Sequence, residues 1–137
     1  VQPVEVYFAF HPPHRRTIWG RLGHVQAFGY TVDETWFFLQ PTAERTMLFI
    51  THRHDEVEDL MAQEFTVSRK IIKTSTIREN RFPPLLMLNC VSECAALVGI
   101  RAFTIGGLER KLLANGGTVI HESARGQGAE RGDEARA

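Results

Sequence analysis

Charge of one sign is what this sequence most lacks. Among its 137 residues, 16 Lys and Arg stand against 16 Asp and Glu, for a formal net charge of +0. Such a balance gives no pull toward a polyanion, so no nucleic-acid partner is expected. Long hydrophobic runs are missing as well. No apolar stretch approaches the roughly 18 residues that cross a bilayer, and no membrane span is expected. Residues 1–6 carry neither the basic region nor the apolar run of a secretory signal. Cysteine is scarce, at two residues, Cys90 and Cys94. Four apart on one helix, their Cβ vectors point the same way, which disfavours a disulfide between them. Free thiols suit a reducing compartment, with no particular cellular site implied. There is no internal repeat, and no cofactor is expected.

What remains is ordinary globular material, with 43% hydrophobic and 23% charged residues. Nine Phe, two Trp and two Tyr can fill one core, and the length fits one domain. Val4, Val6, Phe8 and Phe10 alternate with other residues as a half-buried strand does. Pro12 and Pro13 end it by removing ladder donors. A basic loop with Arg15, Arg16 and Arg21 follows. Strands over 24–30 and 36–39, separated by a short polar turn, read as a hairpin closed by Pro41.

A fourth strand is expected over 46–51, then a helix opened by Asp55, with Glu58 as capping-box partner and Val57, Leu60, Met61 and Phe65 as its apolar stripe. Residues 70–76 read as a more exposed strand, and 78–84 as a charged connector. Asn89 caps a helix that Gly99 stops. Thr104 opens another, with Leu108, Leu112 and Leu113 facing the core and Asn115, Gly116 and Gly117 ending it. Val119 and Ile120 add a last short strand. The expected domain is 1–121. Residues 122–137, without a large apolar side chain, read as a disordered tail.

Chemistry centres on Cys90. Asn89 as N-cap makes Cys90 the first helical residue, where unpaired backbone N–H groups and the helix dipole favour a thiolate. The same N–H groups could hold an oxyanion. Val91, Cys94, Ala95, Leu97 and Val98 pack the helix into the core and hold its start rigid. The alternative is that both cysteines are small core fillers. A thiolate nucleophile needs a neighbouring base. His11, His14 and His121 read as solvated. His52 and His54, two apart at a strand end, suggest a zinc site with Cys90 or with a carboxylate, although no second ligand pair is visible. His24 differs: it starts a strand, between Gly23 and an apolar alternation, where the sheet can fix its ring.

Gly23-His24-Val25 opening a strand, Trp36 to Pro41, Asn89-Cys90-Val91 opening a helix and Thr104 to Gly117 together resemble the circularly permuted papain-like superfamily. The nearest groups are the permuted NlpC-type cysteine peptidases and the lecithin retinol acyltransferase-like proteins. The resemblance spans roughly residues 24–117. It implies an α+β fold, a small mainly antiparallel sheet packed against helices. It also implies a bacterial or phage setting, with Cys90 as nucleophile, His24 as base and a third polar residue that orients the imidazole.

Gln40, ending the next strand, is the choice for that third residue. It shares a face with His24 in one hairpin register; a slip of one residue leaves Gln26 or a backbone carbonyl instead. The function implied is a cysteine hydrolase acting on a peptide amide, such as a cell-wall peptide, or an acyltransferase or thioesterase acting on an acyl group. The alternative from another class is an inactive module for binding or assembly, docking through residues 12–21 with Trp19. The oligomeric state is not legible.

Overall fold

The computed structural model describes residues 3–13, 23–42, 44–75 and 89–123. In chain order the elements are β1 (Pro3–His11), β2 (His24–Thr31), β3 (Trp36–Pro41), β4 (Thr46–Thr51), α1 (His54–Val67), β5 (Lys70–Ser75), α2 (Cys90–Ala96), α3 (Ile105–Ala114) and β6 (Thr118–Glu122). The strands form one sheet in the order β4-β3-β2-β1-β5-β6, every neighbouring pair antiparallel. The fold is therefore α+β, as expected. The basic loop, the connector before Asn89 and the tail beyond residue 123 lie outside the described residues. Among the described residues no helix is long and apolar enough to cross a membrane.

Helices cover both faces of the sheet. On one, Val6, Phe8 and Phe10 of β1, Val25 and Ala27 of β2 and Ile72 of β5 pack against α2 and α3 through Val91, Cys94, Ala95, Leu108 and Leu112. On the other, Ala9, Phe28 and Ile71 meet Met61 and Phe65 of α1. Strand β1 is thus not half-buried: Ala9 is as fully enclosed as Phe8 and Phe10. The reason is position, since β1 lies between β2 and β5 with a helix layer on each side. For the same reason β5 is not an exposed strand. It is flanked by β1 and β6, and Ile71 and Ile72 have no exposed surface.

The α1 face carries a cross-strand aromatic row. Tyr7 stacks on Phe28 at 5.0 Å, Phe28 on Phe38 at 5.5 Å, and Phe38 meets Phe49 at 6.4 Å. Directly opposed aromatics of this kind fix register as well as adding packing energy. Tyr7 Oη also donates to Glu5 Oε2 at 2.8 Å. That bond holds the Glu5 carboxyl below its ordinary range.

Helix boundaries show where local chemistry decides. α2 begins as the sequence indicates. Asn89 Oδ1 accepts from the Ser92 N–H at 2.8 Å and Ser92 Oγ accepts from the Asn89 N–H at 2.9 Å, a reciprocal capping box. Thr104 caps α3 through the Gly107 N–H, and Gly116, at φ 88°, follows its end. α1 differs from expectation. It starts at His54 with Arg53 as N-cap and no side-chain cap, so Glu58 has no capping partner. Thr51 supplies the local order instead, its Oγ1 accepting from the Arg53 N–H at 3.1 Å and donating to Glu56 at 2.6 Å. At the far edge β6 runs to Glu122, and the Ser123 N–H donates to the Arg69 carbonyl, so the ordered unit passes residue 121. Lys70 joins that edge to α3, with Glu109 at 2.6 Å and Glu122 at 3.3 Å.

Candidate functional site

Cys90 is the first residue of α2, half-buried against the core cluster on the α2–α3 side of the sheet. Its helix is anchored in two places. Cys94 Sγ lies 3.8 Å from the Val25 carbonyl oxygen, and Thr46 Oγ1 donates to Glu93 at 2.6 Å. Val25 follows His24, and Thr46 pairs with Pro41. These contacts therefore bring the start of α2 to the end of the sheet that carries His24 and Gln40. The second cysteine is the core filler. Cys94 has no exposed surface, and burial pushes its thiol pKa up.

The imidazole lies on the other face. Along β2, His24, Gln26 and Phe28 share one side, and Phe28 packs under α1. The His24 ring lines a groove of about 890 Å³ between the sheet and α1, whose floor includes Phe38 and Phe49 and whose helical wall includes Leu60, Gln63 and Glu64. Thiol and imidazole thus sit at one end of the sheet but on opposite faces of it, and the structure does not pair them. Gln40 joins His24 rather than Cys90. The Ala27↔Leu39 pairing sets Gln40 level with Gln26, and His24, Gln26 and Gln40 line the same groove. Register thus gives Gln40 the face predicted for it, with Gln26 as its direct neighbour.

Sequence reasoning missed His11. Read as a solvated loop residue, it is the last residue of β1, paired with His24 across the β1–β2 ladder, and its side chain is only 14% exposed. Its Nε2 lies 3.2 Å from Glu64 Oε2, too oblique for a hydrogen bond, so charge links them only when the imidazole is protonated. The two imidazoles sit 5.9 Å apart, tilted by 46°. A signal was present: continuing the β1 alternation past Phe10 puts His11 on the Tyr7 and Ala9 face, under α1. His121 was misread too. Half-buried in β6, its Nε2 lies 3.2 Å from the Ser68 carbonyl, and its ring meets the edge of Phe65.

His52 and His54 are exposed at the β4–α1 junction. Among the described residues no three His, Cys, Asp or Glu side chains are arranged to hold a metal ion. Cys90 packs against the core cluster on α2 rather than beside those histidines. The zinc expectation fails on donor geometry.

Comparison with protein-family models, with curated proteins and with solved structures found no match.

Proposed function

We propose that the protein is a cysteine hydrolase of the permuted papain-like kind, acting on a peptide amide or an acyl ester through Cys90, with His24 as base. The observation that carries the reading is the placement of Cys90. It is a half-buried thiol at the first position of a capped helix, docked at the His24 end of β2. His24 takes the thiol proton as Cys90 Sγ adds to the substrate carbonyl carbon. The tetrahedral adduct then collapses, and the leaving amine or alcohol departs with that proton from the imidazolium. Water, deprotonated by His24, releases the acyl group and restores the thiol. His24 is paired with His11, and the Gly23 N–H donates to the His11 carbonyl at 3.0 Å, so for the ring to serve Cys90 this end of the β1–β2 ladder has to open and the backbone at His24 has to turn. In its resting position it lies against His11 in the groove.

A second reading, a binding module without catalysis, draws on that resting position, because a base on the wrong face transfers no proton. Mixing the protein with an activated acyl ester and following the mass of the Cys90 peptide separates the two. Catalysis predicts an acyl adduct on Cys90 that forms and then decays. It also predicts no adduct on Cys90→Ala and a rate reduced about 100-fold or more in His24→Ala, the scale of general-base assistance. Equal acylation of Cys90 in the wild type and in His24→Ala would leave the binding module.

A further inference from the structure

Strand β4 ends the sheet, with β3 on one side and no strand beyond it among the described residues. It is built like an interior strand. Met47, Leu48, Phe49 and Ile50 are 38%, 58%, 45% and 59% exposed. The pairings Phe38↔Phe49 and Leu39↔Leu48 assign them to faces: Met47 and Phe49 on the α1 side, Leu48 and Ile50 on the α2 side. Natural edge strands are guarded by lysine, proline or a bulge. Thr46–Thr51 contains no such guard, and its pairing with β3 runs without a break.

A helix or loop laid on one face would cover one of these rows and leave the other in water. A strand added edge to edge flanks both, and it must itself be apolar on both faces. We propose that this strand is β4 of a second copy, paired antiparallel about Phe49 so that two sheets become one. A two-fold axis normal to the sheet preserves its faces, so only residues of equal parity can oppose each other. Centred on Phe49, this register sets Phe49 against its own copy, Leu48 against Ile50 of the second copy, and Met47 against Thr51 of the second copy. Every exposed apolar residue of the strand gains a neighbour on its own face.

In this register Arg45 and Arg53 of the second copy come opposite each other at both ends of the pairing, each beside carboxylates: Glu44 precedes Arg45 and Glu93 accepts from Thr46 at 2.6 Å, while Asp55 and Glu56 lie 2.6 and 3.1 Å from Arg53. The other edge strand, β6, exposes Val119 and Ile120 at 37% each. Pairing β4 with β6 would run head to tail without closing, whereas β4 with β4 closes at two copies.

Sedimentation velocity from micromolar to millimolar concentration tests the interface. A monomer–dimer equilibrium is expected, with Leu48→Lys and Ile50→Lys weakening it about tenfold or more while their circular dichroism stays native. In a Cys90→Ser background, Phe49→Cys should oxidise to a covalent dimer, because the residue on the axis faces itself at about 4.5–5.5 Å between Cα atoms. Thr46→Cys, which faces His52 of the second copy, should not. A wild type that stays monomeric at the highest concentration, forms open-ended polymers, or associates equally well with either lysine would overturn the proposal. If the lysine variants fail to fold, the two cysteine variants decide it, and equal cross-linking of both contradicts the register.

Discussion

Phe10→Ala is expected to destabilise the protein by about 3–5 kcal/mol, the cost of emptying a fully enclosed aromatic site. Phe10 has no exposed surface. It stands in the central strand between Val25 and Lys70 and faces the α2–α3 layer with Phe8 and Val6. Its carbonyl also accepts the Arg69 N–H at 2.8 Å, where the chain leaves α1 for β5. A domain of this size is stable by only about 5–15 kcal/mol, so urea unfolding should show the midpoint falling by a large fraction of its value. Val4→Ala on the same strand, 39% exposed, should change stability by less than about 0.5 kcal/mol. Similar losses for the two variants would contradict the placement of β1 at the centre of the sheet.

The second large effect is a reversal of sign at Gly29. Alanine in a strand ordinarily stabilises relative to glycine, because glycine forfeits more chain entropy on folding. Gly29 lies in the middle of β2, between Val6 of β1 and Phe37 of β3. A Cβ there would overlap the Glu5 carbonyl oxygen and stand 2.9 Å from Phe37 Cζ. The carbonyl is backbone beside the irregularity between Pro3 and Glu5 and cannot move aside without disturbing two ladders. Gly29→Ala is therefore expected to destabilise by about 1–3 kcal/mol or more. Gly106→Ala, in the first turn of α3 with nothing within 4 Å of the added carbon, should stabilise by about 0.5–1 kcal/mol. Thermal unfolding of the pair should give shifts of opposite direction.

Much of the fold was legible because it depends on short-range chemistry. The hairpin of β2 and β3 announces itself through alternation and a polar turn, and Asn89 and Thr104 mark helix starts by what their side chains can accept. Strand order is a long-range property, and nothing local told that β1 lies between β2 and β5. That one fact turns Ala9 from exposed to enclosed, removes β5 from the surface and draws His11 under α1. The start of α1 escaped for a different reason. Thr51, not Asp55, organises that turn, and a hydroxyl reaching forward from a strand end leaves no capping pattern to read.

The candidate site divides along the same line. Cap chemistry points to Cys90, and strand parity, once the register is known, joins His24, Gln26 and Gln40. Parity also sets the His24 ring on the face away from Cys90, a consequence of the register that no motif carries. His11 and Glu64, side by side in the groove with His24, belong to the surroundings of the imidazole and would influence how readily it leaves its resting place.

The claim on which the account rests is that Cys90 and His24 work as a pair across the end of the sheet. Alkylation rates of Cys90 at neutral pH, followed by mass spectrometry, test it most directly, with Cys94, which has no exposed surface, as the enclosed internal reference. Pairing predicts that Cys90 is alkylated far faster than Cys94 and that His24→Ala slows Cys90 about tenfold or more. A Cys90 rate unchanged by His24→Ala, or one as slow as that of Cys94, would contradict it.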